Sequence, residues 1–214
     1  MHRYLITGTD TGVGKTRVTA VLAGALANAG HKPTIVKLVQ TGITAGEIGD
    51  AAHAGALAGI PFMELARFSK PADPWSAALA DGMPPVRAID LQHMLERVPG
   101  AVVAEGAGGL AVPLNRTEDF GTVARLAQLK VILAVGLRLG CMNHALLTLA
   151  MCEHLRIPLA GAVLVEFLQA CEPSYVDDVT RVLQGKVRMF GMLPFEPNEP
   201  SSLRHGTQLF RSLM

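Results

Sequence analysis

The chain has 214 residues, half of them hydrophobic, with aromatic residues at 5% and a formal net charge of +1. That length suits a single domain, 1–214, whose sizeable core is built from Ala, Val, Leu and Ile. No Lys/Arg block stands out, which gives no electrostatic reason to expect nucleic acid or an anionic membrane as partner, and no run reaches the ~18 apolar residues of a membrane span.

The first strand is expected at Arg3–Gly8; it starts too early to leave room for a signal peptide. Directly behind it comes Gly8-Thr9-Asp10-Thr11-Gly12-Val13-Gly14-Lys15-Thr16, followed by a helix over Thr16–Ala29 with Gly30 as its C′ glycine. Strand, glycine-rich turn and helix in that order make a phosphate loop. Its backbone N–H groups and the helix N-terminus converge where phosphate oxygens would sit. Lys15 can reach the β/γ-phosphates, and the Thr16 hydroxyl can hold Mg²⁺. Gly8 and Gly14 enclose five residues, one more than the usual spacing.

A second strand, Pro33–Val39, carries Lys37 inside an apolar run. A lysine there either reaches the surface or points into a site. The polar step Gln40-Thr41-Gly42 that follows favours the site. Asp50 opens a helix to Ala58, as an ordinary N-cap, a metal ligand, or both. Pro71–Pro85 reads as a surface excursion, and a helix is expected at Ile89–Arg97.

The strand Ala101–Glu105 ends in a carboxylate after four apolar residues. Such a group is costly unless paired or bound to a cation, which suits a Mg²⁺ ligand beside the phosphate loop. Gly106, Gly108 and Gly109 would let backbone N–H groups approach an anion.

Beyond a helix at Asp119–Leu129 lie the strand Val131–Gly136, a loop to Asn143, and a helix Asn143–Leu155 capped by Asn143. His144 reads as a structural histidine and Cys141 as a loop thiol. Strand Leu159–Val165, helix Ser174–Leu183 capped by Ser174, and strand Val187–Leu193 complete the rhythm. Cys141, Cys152 and Cys171 form no Cys-x-x-Cys pair and read as reduced thiols of a cytoplasmic protein.

Strands alternating with helices predict an α/β fold of P-loop NTPase type, a doubly wound, mostly parallel sheet with helices on both faces. Ligands then gather at the carboxyl ends of the strands. The polar groups there point to phosphoryl transfer from a nucleoside triphosphate, not covalent catalysis.

Four blocks taken together resemble the dethiobiotin synthetase family. They are Gly8–Thr16, Lys37 with Gln40-Thr41-Gly42, Glu105–Gly109, and Leu139-Gly140-Cys141-Met142-Asn143-His144-Ala145. The resemblance covers about residues 3–165, with an echo at Gly191–Pro194. It implies ATP-dependent carboxylation of 7,8-diaminopelargonic acid by CO₂ or bicarbonate, through a carbamate that attacks the γ-phosphate, followed by ring closure. It also implies Lys15, Lys37 and Thr11 as catalytic groups, and Thr16, Asp50 and Glu105 as Mg²⁺ ligands.

For the nucleotide, the resemblance implies Gly12, Val13, Gly14, Lys15, Thr16 and Arg17 on the loop, with Asp50, Glu105, Gly106, Ala107 and Gly108 beside it. Val165 and Glu166, then Pro194, Phe195, Glu196 and Glu199, are implied at the base. Thr11, Lys37, Thr41 and Leu139–Asn143 (Leu139, Gly140, Cys141, Met142, Asn143) would meet the substrate, the last five from the partner subunit of a homodimer.

Three departures stand out. Leu38 takes the place of the family's Pro, Pro71–Trp75 is only loosely like its Pro-rich loop, and Val165 stands where an adenine-reading Asn is common. The base is then read by backbone groups and Pro194–Glu199, or with little discrimination. A partition- or division-type switch ATPase would carry a lysine where Asp10 stands. An amidotransferase-type cobyrinate synthase would need a glutaminase domain that 214 residues do not hold. A nucleotide-binding module without catalysis is the plainest alternative.

Overall fold

The computed structural model describes residues 2–196 and 206–214. Its strands are β1 (Arg3–Gly8), β2 (Pro33–Lys37), β3 (Phe62–Glu64), β4 (Ala101–Glu105), β5 (Lys130–Gly136), β6 (Leu159–Val165) and β7 (Met189–Leu193). They form one seven-stranded sheet in the order β3-β2-β4-β1-β5-β6-β7, with every pairing parallel. From β1 the chain runs outward through β2 to β3, returns to place β4 between β2 and β1, and then winds outward on the other side through β5, β6 and β7. The order therefore reverses at β1, and a crevice opens at the carboxyl ends there.

The helices are α1 (Lys15–Asn28), α2 (Asp50–Ala58), α3 (Pro74–Ala80), α4 (Ala88–Glu96), α5 (Phe120–Leu126), α6 (Cys141–His154) and α7 (Pro173–Leu183). A 3₁₀ segment, Thr207–Leu213, follows near the end of the chain. Among the described residues no helix is long and apolar enough to cross a membrane.

Side chains alternate across the sheet, as strand geometry requires. Tyr4, Ile6, Ile35, Val103, Ile132 and Val163 face α1, α2 and Phe210 of the 3₁₀ segment. Leu5, Val36, Val102, Ala104 and Val131 face the layer of α3, α4 and α5. Leu133, Val135 and Leu164 face α6 and α7. The central strands are buried on both sides, which explains their unbroken apolar runs.

Several boundaries differ from the sequence reading. β2 stops at Lys37, and β7 starts two residues later than expected. β3 and α3 were not anticipated. Pro71–Pro85 is no mere excursion: Asp73 accepts a hydrogen bond from the Ser76 N–H at 2.9 Å, and Pro74 opens α3. α6 begins at Cys141, capped by Gly140 in the left-handed region (φ 92°), so Asn143 lies inside the helix and is not its cap. Cys141 is accordingly a buried helical residue and not a loop thiol. Ser174 likewise follows Pro173 inside α7, where Glu172 holds the cap position. Gly30, directly after the α1 cap residue, adopts the left-handed φ of 85° expected of a C′ glycine.

Candidate active site

β-sheet register brings the principal charges together. Lys37 and Glu105 are register partners at the carboxyl ends of β2 and β4, and Ile6 of β1 pairs with Glu105 from the other side. Adjacent partners in a parallel pair point to the same face, here toward α1. Two residues of α1 reach Glu105. The Thr16 hydroxyl donates to Glu105 Oε1 at 3.2 Å and the Thr19 hydroxyl to Oε2 at 2.8 Å.

Lys37 Nζ donates to Glu105 Oε1 at 2.7 Å, to Asp50 Oδ2 at 2.5 Å and to the Gly106 carbonyl at 3.1 Å. Lys37 and Glu105 are almost wholly buried, while the Asp50 carboxylate is 42% exposed. Burial by itself would lower the Lys37 pKa; the Glu105 and Asp50 carboxylates outweigh it and hold the group above its ordinary value. Asp50 starts α2 without capping it. The cap residue is Gly49, and Gln40 Oε1 accepts the Asp50 N–H at 2.9 Å.

The phosphate loop is held from below. Val13 is fully buried, the Thr9 N–H donates to the Ala134 carbonyl at 2.9 Å, and Gly8 N–H to that of Gly108 at 3.3 Å. Gly14 has φ 86°, and a Cβ there would lie 2.8 Å from a Val165 methyl. Glycine is therefore required at this position twice over. The Lys15 ammonium donates to the Asp10 carbonyl at 2.9 Å across the loop. Its burial lowers its pKa to about 8, against the opposing pull of Glu105. Arg138, from the segment after β5, forms an ion pair with Asp10.

A cavity of about 980 Å³ opens over these groups, at the upper end of ligand pockets. Thr11, Gly12, Gly14, Lys15, Thr16, Arg17, Lys37, Thr41, Asp50, Glu105, Ala107 and Gly108 line it, as expected. Its wall also includes Gln40, His53, Pro71–Asp73 and Phe167; Gln40 belongs to the polar step and Pro71–Asp73 to the Pro-rich segment read in the sequence, whereas His53 and Phe167 carry no sequence signal. Two carboxylates and a hydroxyl converge here, and among the described residues no cluster of three His, Cys, Asp or Glu groups occurs. All three are oxygen donors. This set fits a hard cation such as Mg²⁺ that takes its other ligands from phosphates and water.

The amino-acid sequence compares closely with curated proteins. The ATP-dependent dethiobiotin synthetase of Nitrosospira multiformis is 36% identical over 209 residues, covering 91% of this chain and 89% of the relative. That of Saccharopolyspora erythraea is 40% identical over 204 residues, covering 91% and 88%. The family profile described as an AAA domain matches residues 2–199. The chain belongs to the dethiobiotin synthetase family.

Members of that family are ATP-dependent ligases that form C–N bonds. Solved structures give the fold alone. MinD in the MinC:MinD cell division complex of Aquifex aeolicus superposes with a TM-score of 0.59 at 15% identity, covering 98% of this chain and 88% of that one. A ParA family ATPase of Chlorobium tepidum gives 0.58 at 12% identity, covering 99% and 91%. The P-loop NTPase architecture expected from sequence is thus confirmed.

At the base end expected for dethiobiotin synthetases, the side chains are engaged elsewhere. Val165 is buried against Gly14 in the core. The Glu166 carboxylate is also buried: Oε1 accepts the Cys171 N–H at 2.7 Å, and Oε2 the Phe195 N–H at 3.0 Å. Arg17 donates to the carbonyls of Glu166 at 3.0 Å and Pro194 at 2.7 Å. Val13, Gly106, Val165, Glu166, Pro194, Phe195 and Glu196 do not line the cavity; Glu199 lies outside the described residues.

Leu139–Asn143 does not line it either. Leu139 is 93% exposed, while Cys141 is buried with its thiol 3.4 Å from the Tyr175 hydroxyl. Thr19 was missed as a site residue because a threonine in a helix interior carries no mark of its role.

Proposed function

We propose that this enzyme serves biotin biosynthesis by carboxylating 7,8-diaminopelargonic acid and closing its ureido ring at the expense of ATP. The observation that carries this reading is the convergence of Lys15, Lys37, Glu105 and Asp50 on one cavity beside the phosphate loop. A bare nucleotide-binding module has no use for a second buried lysine there.

In the reaction, one amine of the substrate adds to CO₂ and loses a proton, giving a carbamate. A carbamate oxygen attacks the γ-phosphorus and ADP departs. The second amine then attacks the carbamoyl carbon, and phosphate leaves as the second C–N bond forms. Negative charge builds on the carbamate and on the transferring phosphoryl group. Lys15, and Lys37 once it turns from its carboxylates, would stabilise both. Thr11 and Thr41, which both line the cavity, would hydrogen-bond the carbamate or the substrate nitrogens. Mg²⁺ held by Thr16, Asp50 and Glu105 would supply charge neutralisation at the β/γ-phosphates.

Lys37 must release Asp50 and Glu105 to reach the reacting groups. Its long flexible stem makes this a side-chain movement. The exposed Leu139 and the first turn of α6 lie outside the cavity of their own subunit. They would meet the substrate's carboxylate tail across a homodimer interface, with free N–H groups of the α6 terminus as donors. With Val165 and Glu166 engaged elsewhere, backbone groups would read the base, which relaxes selectivity among triphosphates. Three free cysteines accord with a cytoplasmic location.

The test is phosphate release in the presence of ATP and Mg²⁺. It is expected only when diaminopelargonate and bicarbonate are both added. Phosphate release without the diamine would favour a plain ATPase and overturn the reading.

A further inference from the structure

Glu105 is buried to 1% exposure, yet both its oxygens are occupied, and unequally. Oε1 receives the Lys37 ammonium at 2.7 Å and the Thr16 hydroxyl at 3.2 Å. Oε2 receives the Thr19 hydroxyl, at 2.8 Å. Thr19 is itself fully buried, one turn into α1, and forms no part of the phosphate-loop motif. A buried helical threonine commonly turns its hydroxyl back to a carbonyl one turn earlier. Here it donates across the helix–sheet interface instead.

The consequence is rotational. A carboxylate can present either oxygen, or both, to a cation. With Oε2 tied to α1, the oxygen left facing Thr16, Lys37 and the cavity is Oε1. We infer that Thr19 is a positioning residue: its hydroxyl fixes the rotation of Glu105 and so sets how the carboxylate meets the divalent cation at the phosphate loop. The inference rests on the reading of Glu105 as a metal-side carboxylate. Groups that orient metal ligands from behind typically change metal affinity or activity by about 10–100-fold when removed.

Thr19→Val keeps the shape and removes the donor. The direct readout is Mn²⁺ binding to the enzyme complexed with a non-hydrolysable ATP analogue, followed by electron paramagnetic resonance of free Mn²⁺. Thr19→Val is expected to weaken Mn²⁺ about ten-fold and lower kcat by a similar factor, with the diamine KM within about two-fold. Thr19→Ser should restore both. A purely structural threonine would lower Tm in the Val variant and leave Mn²⁺ affinity unchanged; that result overturns the inference. If the Val variant does not fold, Thr19→Ala against Thr19→Ser, compared below the lower Tm, carries the same contrast. Glu105→Gln separates the two layers. If it weakens Mn²⁺ and Thr19→Val does not, only the role of Thr19 falls. If neither changes Mn²⁺ affinity, the metal reading of Glu105 falls with it.

Discussion

The two ends of the proposed nucleotide site are built on different principles. At the phosphate end, side chains from β2, β4 and α1 turn their charges into a cavity, and strand register sets their spacing. At the expected base end, Glu166 and Arg17 turn their charges onto backbone groups, and hold the segments after β6 and β7 together. The first arrangement puts chemistry in residue identity. The second puts shape in the backbone and leaves the side chains as fasteners. Substitutions at the two ends should therefore fail differently.

The largest effect is expected at Lys37. Lys37→Ala removes the cation proposed to serve the reacting groups and should lower kcat by about 10²–10³-fold. The ATP KM should stay within about three-fold, since transition-state charge is what is lost. Turnover within ten-fold of the wild type would place the catalytic cation elsewhere.

Glu166→Ala should behave in the opposite way. It takes the carboxylate acceptor from two part-buried N–H groups, at about 1–2 kcal/mol, or roughly 2–8 °C in Tm for a chain of this size. The ATP KM should rise while kcat stays nearly constant. A fall in kcat at unchanged Tm would show that the two ends are not separate. A milder consequence concerns the base: kcat/KM for ATP, CTP and GTP should fall within about ten-fold, because Val165 offers the base no hydrogen-bonding edge and Glu166 is engaged by backbone N–H groups. A strong ATP preference would mean that an unrecognised side chain reads the base.

The smallest effect sharpens the phosphate end. Lys15 is held near pKa 8 chiefly by burial. A triphosphate would favour its charged form and raise that value. ATP binding at pH 8 should thus take up about half a proton, and almost none at pH 6.5, where Lys15 is already charged. Calorimetry in buffers of different ionisation enthalpy measures this directly. The same shift means that ligand-free protein gains stability from Lys15 as pH rises from about 8 toward 10.5, where the unfolded lysine still holds its proton and the folded one has released it.

The phosphate end was largely legible in the sequence. Gly8–Thr16 has its own spacing, and Lys37 and Glu105 stand out because a charge within an apolar run must be accounted for. The pairing of these two residues was not legible, since it depends on β2 lying beside β4. The expected base end was harder, because the partners of Arg17 and Glu166 there are backbone carbonyls and N–H groups, which leave no trace in residue identity. α3 could have been found: Asp73-Pro74 before Ser76-Ala77-Ala78 is a cap followed by a first-turn proline, masked by the surrounding prolines. The three-residue β3 is too short to show a period, and Gly140 took the capping role from the more conspicuous Asn143.

In the proposed reaction carbamate oxygen, not water, attacks the γ-phosphate in the cavity over Lys15 and Lys37. Bicarbonate labelled with ¹⁸O, used before its label exchanges with solvent, tests this in one turnover. One labelled oxygen should appear in the released phosphate and another in the ureido carbonyl of the product. Unlabelled phosphate alongside labelled product would mean that the γ-phosphoryl group is never transferred to the carbamate.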